Sequence, residues 1–248
     1  LSLKPVPFSE INKNLKLRLI DKRIIDIEAP NILIAGCGTG QQSIYVASTF
    51  KNAKILSVDL SLSSLAYAKR KTNELGIQNI DYMQADILDL SKLNRKFDII
   101  YCSGVLHHMD QPMAGWRSLI NCLEEGGLMN IGLYSNLARQ HIVKIRREIK
   151  QLGIGSDDDV IRSFRRDLIN SGEEHHKKIR RSYNFYSLSE IRDLLFHVRE
   201  HRFTIPEIKD CLAELNIEFC GFYSDVILRD FKQIYSEEAD LYNLEKWN

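Results

Sequence analysis

Three glycines, Gly36, Gly38 and Gly40, follow directly on the apolar run 31–35 and precede a helix-patterned stretch from Gln41. A buried strand that ends in glycines and turns into a helix brings backbone close to a ligand at a helix N-terminus. Free N–H groups and partial positive charge converge there. The same residues also suit a tight strand-to-helix turn with no ligand, and alone they do not separate the two readings. The spacing does separate ligands. G-x-G-x-x-G, the dinucleotide pattern, needs its third glycine at position 41, which is Gln. G-x-G-x-G sets the loop against a nucleoside and an amino acid rather than a pyrophosphate.

Beyond the glycines the chain keeps a regular rhythm. Strands are expected at 31–35, 54–58, 80–85, 97–103 and 128–134. Helices are expected at 9–27 with Ser9 as cap, at 41–50, and from a Ser61 cap to Gly76. A further helix is expected through "AGWRSLINCLEEGG", ending at Gly126 and Gly127. Strands alternating with helices imply parallel pairing with both faces covered: an α/β fold with an open, mostly parallel, Rossmann-like sheet. After Ser135 the pattern becomes helical and rich in both charges, with capping boxes at Ser187–Glu190 and Thr204–Glu207. The division expected is a helical lead-in (1–30), a sheet core (31–139), a helical insertion or lid (140–202) and a returning part of the core (203–248). The insertion reads as too short and charged to hold a strong core of its own. "IEFCGFY" (217–223) reads as a strand and "DVILRDFKQIY" as a helix.

Composition narrows the class. A formal charge of +1 over 248 residues supplies no field that draws in nucleic acid. No apolar run approaches the ~20 residues of a membrane helix, and no signal-peptide pattern is present. Five cysteines without a CxxC pair suit packed, reduced thiols, so a cytoplasmic location is expected.

Two acids reinforce the glycines. Asp59 ends the second strand, where a carboxylate accepts bonds from both ribose hydroxyls. Asp86 ends the third, where a carboxylate can accept from an adenine amine. Each acid alone is more often a turn or helix cap, but such ends in register on one sheet edge are much less common by chance.

"NILIAGCGTG", "SVDLS", "QADIL", "FDIIYCSGVLHHM" and "EEGGLMNIGLY" together resemble a class I S-adenosylmethionine-dependent methyltransferase over roughly 31–135. The resemblance implies that Gly36, Cys37, Gly38 and Gly40 line the methionine portion of S-adenosyl-L-methionine. It implies that Asp59 holds the ribose with Leu60 flanking the adenine, and that Asp86 and Ile87 recognise the adenine edge. The backbone around Cys102 and Ser103 would receive the ammonium group. The family usually has an acid two residues before the first glycine; here that position is Ile34. The later stretch "FYSLSEIRDLLFHVREHRFTIPEIKDCL" resembles bacterial methyltransferase domains that follow tetratricopeptide repeats, which implies such repeats before Leu1.

In-line displacement at a sulfonium mainly requires alignment of donor and acceptor and exclusion of water. The stretch after the fourth strand lacks the Asn/Asp-Pro-Pro-aromatic pattern of base- and amide-nitrogen enzymes. Cys102 has no proline beside it, unlike cytosine C5 enzymes, and no two-glutamate arginine-methylating loop is present. The expectation is methyl transfer to an O or N atom of a small molecule or pendant group, with His107 or His108 as the base and otherwise simple packing of "LHH". A non-catalytic cofactor sensor, and a protein or RNA modifier docked through upstream repeats, are the alternatives. Tyr134, Tyr186, His197 and His201 are the candidate acceptor contacts. "HVREH" (197–201) also matches the H-x-x-E-H zinc-peptidase pattern, but only three positions are fixed and no metal is expected. The basic stretches 139–150 and 175–181 are offset by nearby acids and read as solvated helix faces.

Overall fold

Strand β1 (Asn31–Ala35) is apolar along nearly its whole length because both of its faces are covered. Ile32 and Ile34 point into one core layer with Phe8, Val46, Ile55, Leu65 and Ile99. Leu33 and Ala35 point into the other with Val58, Ile100, Cys102, Trp116 and Leu119. The computed structural model describes residues 4–197, 199–235 and 238–248.

The first unit comprises residues 1–133 and 205–248. Helix α1 (Phe8–Leu15) opens it, followed by β1, α2 (Gln41–Thr49), β2 (Lys54–Asp59), α3 (Leu62–Glu74), β3 (Ile80–Gln84), β4 (Phe97–Ser103), α4 (Pro112–Ile120) and β5 (Leu123–Gly132). The strands form one sheet in the order β3-β2-β1-β4-β5, and every pairing is parallel. This is the expected Rossmann-like architecture. The order reverses between β1 and β4, which opens a crevice at their carboxyl ends.

Several expectations need correction. The helix expected at 9–27 stops at Leu15, where Lys16 turns left-handed, and only a short 3₁₀ turn follows at Arg23–Asp26. Pro7, not Ser9, occupies the N-cap. Strand β5 begins at Leu123, so "EEGG" belongs to a strand and α4 ends at Ile120. The stretch 217–223 forms no strand among the described residues. Phe222 and Phe231 instead pack on Trp247, with ring centroids 4.6 and 4.0 Å away, so aromatic contacts rather than a ladder hold this stretch.

The second unit spans residues 134–204. It contains α5 (Gln140–Leu152), α6 (Asp158–Asn170), α7 (Glu174–Ile179) and α8 (Leu188–Phe196). Ser187 caps α8 by accepting from the Glu190 amide. Contrary to expectation, the unit does have a core of its own. Ile142, Ile145, Ile161, Phe164, Ile179, Phe185 and Ile191 form part of a buried cluster drawn from all four helices. Charged residues such as Arg147, Lys150, Arg162 and Arg166 sit on the outer helix faces. At its base, the Asn136 amide donates to the Phe203 carbonyl at 2.9 Å and the Phe203 amide to the Tyr134 carbonyl at 2.8 Å. The remaining helices, α9 (Ile205–Glu214) and α10 (Asp225–Ile234), belong to the first unit.

Candidate cofactor site

The turn after β1 is built from three glycines with three different surroundings. All have positive φ, at +75° for Gly36, +51° for Gly38 and +86° for Gly40. A Cβ on Gly36 would lie 2.1 Å from Val105 Cγ2, and one on Gly40 would lie 2.7 Å from the Ala68 Cβ. Gly38 alone faces open space within 4 Å. Across the crevice, Gly104 after β4 is also open, with φ +79°. Two walled glycines therefore hold the loop against its neighbours, and the third leaves room for a ligand on the side where the strand order reverses.

Asp59 fixes this loop from the end of β2. Its Oδ2 accepts from the Gly38 amide at 2.7 Å and its Oδ1 from the Ser61 amide at 2.8 Å. The Val58 carbonyl before it accepts from both the Gly36 and Cys37 amides, at 2.8 and 2.9 Å. Each Asp59 oxygen keeps a lone pair for a further donor, and the residue is half-buried. Leu60, next in the chain, is 65% exposed, an apolar surface left open beside the acid. Asp86 caps the 3₁₀ turn Ile87–Leu93, with Oδ1 accepting from the Leu88 amide at 2.9 Å.

Other residues of the expected set take different roles. Ile87 and Cys37 turn their side chains into the core at 6% exposure each, so only their backbones can serve a ligand. Burial pushes the Cys37 thiol up to about 12, with the charge of Asp59 adding to the effect. Burial likewise raises Cys102 to about 12, which leaves it without a nucleophilic thiolate near neutrality. All five cysteines are free. Ser103 pairs with Gly132 at the ends of β4 and β5, and a Cβ on Gly132 would meet the Ser103 Oγ at 2.8 Å. Ile34 is fully buried in the sheet core and presents nothing to a ligand. His107 is buried at 1% exposure and packs edge-on against His108, centroids 4.4 Å apart; His108 is half-buried.

In the helical unit, Tyr134 lies under the Arg139 guanidinium, 3.6 Å from its ring centroid. Burial raises the Tyr134 hydroxyl above its ordinary value, with Arg139 opposing. Tyr186 is exposed and its hydroxyl donates to the Arg180 carbonyl at 3.1 Å. His201 is exposed, and the His197 Nδ1 lies 2.7 Å from the Arg199 carbonyl. Helix α8 ends at Phe196, so His197 and His201 do not stand one helical turn apart as the zinc-peptidase pattern requires. Val198 lies outside the described residues. Glu200 is instead an ion-pair hub, its side chain 1% exposed, bound by Arg139 at 2.7 Å, Arg146 at 3.0 Å and Arg202 at 3.3 Å. Burial opposes its ionisation, but the hydrogen bonds and charge of Arg139, with Arg146 and Arg202, hold it below the ordinary glutamate value. Sequence reasoning missed this hub, because its partners are spread along the chain.

Residues 32–127 match a family model described as "Methyltransferase domain". Over these residues the chain is similar to methyltransferase domains. An uncharacterized protein from Synechococcus sp. is 29% identical over 202 residues, 78% of this chain and 48% of that protein. Ubiquinone biosynthesis O-methyltransferase from Acinetobacter baumannii is 25% identical over 122 residues, 49% of this chain and 50% of that one. Among solved structures, PKMT2 from Rickettsia typhi in complex with AdoHcy superposes over 100% of this chain and 51% of its own, with a TM-score of 0.68 and 18% identity. At that identity the likeness is one of fold. The chain spans about half the length of each of these three proteins.

Proposed function

We propose that this methyltransferase domain moves the methyl group of S-adenosylmethionine to an oxygen or nitrogen atom of a small molecule or of a pendant group. The observation that carries the reading is the Gly38–Asp59 pairing beside open space at the point where strand order reverses. When bound there, the cofactor supplies an electrophilic methyl on a sulfonium.

The chain's own residues then do the positioning. Asp59 accepts from the ribose hydroxyls while its amide bonds keep the carboxylate aimed. Leu60 covers one face of the purine, and Asp86, already oriented by its bond to Leu88, meets the purine edge. The backbone at Ser103 and Gly104 receives the ammonium group, the more so because Ile34 offers no acid. Alignment and exclusion of water supply the rate. Where the acceptor arrives protonated, His108 rather than the buried His107 takes the proton. Acceptor contacts from Tyr134, Tyr186, His197 and His201 belong to the same proposal. Relatives named as an O-methyltransferase and as an N-methyltransferase support both acceptor atoms alike.

Calorimetry tests the cofactor: S-adenosylmethionine and its demethylated product should bind, and NAD should not. Binding of NAD alone would overturn the reading. Methyl-labelled cofactor added with a size-fractionated cell extract tests the acceptor. Label in small-molecule fractions is the expected result. Label confined to protein or RNA would reassign the acceptor, and cofactor binding with no label in any fraction would leave a sensor.

A further inference from the structure

The helical unit holds a cluster that the methyl-transfer reading does not use. Glu148 projects from α5, and His175 and His176 are neighbours on the short helix α7. Successive helical residues point about 100° apart, so two adjacent histidines ordinarily serve different surroundings. Here both converge. The His175 Nε2 lies 2.5 Å from the Glu148 Oε1, and the His176 Nε2 lies 2.7 Å from the Glu148 Oε2. The rings stand 4.1 Å apart between centroids, and one ligand atom from each of the three residues falls within 4.8 Å of the others. All three side chains are largely withdrawn from solvent, at 14%, 12% and 32% exposure for His175, His176 and Glu148.

The far side of one ring is also held. The His176 Nδ1 lies 2.7 Å from the Ser171 Oγ. With an ion in place of the proton that Nε2 shares with Glu148, the Nδ1–H can donate to the Ser171 Oγ, the supporting contact found behind metal-bound histidines. Two imidazoles and one glutamate are the protein ligand set of several open zinc centres, with water completing the tetrahedron. Ligand atoms around a tetrahedral zinc stand about 3.4 Å apart. The two Glu148 contacts, at 2.5 and 2.7 Å, are shorter than that spacing, so the carboxylate has to draw back from the imidazoles to admit an ion.

We propose that Glu148, His175 and His176 form a binding site for a divalent cation of the zinc class, braced by Ser171 and contained wholly within the helical unit. The ion links α5 to α7 through two imidazoles and a carboxylate. The set shares no residue with "HVREH", whose two histidines do not stand one helical turn apart.

The test uses the whole chain, freed of metal with a chelator and titrated with zinc chloride by calorimetry. The double variant His175→Gln/His176→Gln should bind one equivalent less zinc than the natural chain. Ser171→Ala should keep that equivalent but bind it about tenfold more weakly. Equal stoichiometry in the natural chain and the double variant, or no zinc uptake at all, would overturn the proposal. Should the double variant fail to fold, zinc-edge X-ray absorption on the natural chain decides the matter. Two imidazoles and an oxygen in the shell support the site; any shell without two imidazoles rejects it.

Discussion

The carboxylate of Asp59 accepts a hydrogen bond from the amide of Gly38 at 2.7 Å, joining the carboxyl ends of two adjacent parallel strands. One residue thus sets the shape of the glycine turn and, in the function proposed above, also presents the acid that meets the ribose. The structural and the binding roles of Asp59 are for this reason hard to separate by one substitution, and a pair of variants is informative.

Asp59→Asn retains an acceptor toward Gly38, whereas Asp59→Ala loses both amide contacts and the charge. Hydrogen bonds to a charged group contribute about 1.5–3 kcal/mol, so Asp59→Ala should weaken S-adenosylmethionine binding by about tenfold to a hundredfold. Asp59→Asn should fall between the two. Calorimetry on both variants checks the order.

Gly40 and Gly38 should fail differently. Gly40→Ala places a Cβ 2.7 Å from the Ala68 Cβ at a φ of +86°, combining overpacking with backbone strain. A loss of about 2–4 kcal/mol is expected in urea denaturation. Gly38→Ala meets no atom within 4 Å and carries only the left-handed penalty of about 1–2 kcal/mol. It should nevertheless reduce cofactor affinity more than stability, since its methyl enters the open space.

Glu200→Gln should cost the helical unit about 3–5 kcal/mol, because three guanidiniums lose their buried counter-charge. The pH dependence has a definite sign. The folded pKa of Glu200 lies below its ordinary 4.5, so the ionised group's contribution is complete above that value. It is lost as pH falls through the lower folded value. The natural chain should therefore show an acid-driven loss of stability that is reduced in Glu200→Gln. Urea melts at several pH values, followed by circular dichroism, measure both effects.

With thiol values near 12, Cys37 and Cys102 should resist iodoacetamide at neutral pH in the folded chain. They should react promptly in urea. Cys102→Ala should also retain methyl transfer, as expected for a side chain that only packs. Peptide mass mapping after alkylation, with a labelled-methyl assay, checks the pair of outcomes.

Much of the fold could be read from residues with strictly local signatures. Strands β1 and β4 announce themselves because burial on both faces demands near-continuous apolar side chains, and Ser61 announces α3 because a cap acts within a few residues. Strand β5 was misjudged at its start because it lies at the sheet edge, where Glu124 and Glu125 can remain solvated and mimic a helix end. That Asp59 and Asp86 stand at the carboxyl ends of β2 and β3 could be read because each directly follows a strand-patterned run. The contacts of Glu200 and Glu148 could not be read. The partners of Glu200 include Arg139, 61 residues earlier, and His176 meets Glu148 across 28 residues. No periodicity encodes a contact between side chains on separate helices, so "HVREH" suggested a zinc pattern and "HHKKIRR" an ordinary basic face. The burial of His107 was equally hidden, since "LHH" gives no sign of which ring turns inward.

The paired backbone at Tyr134, Asn136 and Phe203 brings the entry and exit of the helical unit side by side. A chain excursion that leaves and returns through one doorway behaves as a cassette. Gene rearrangement can exchange such a cassette for another, or shorten it to a hairpin, without re-threading the sheet.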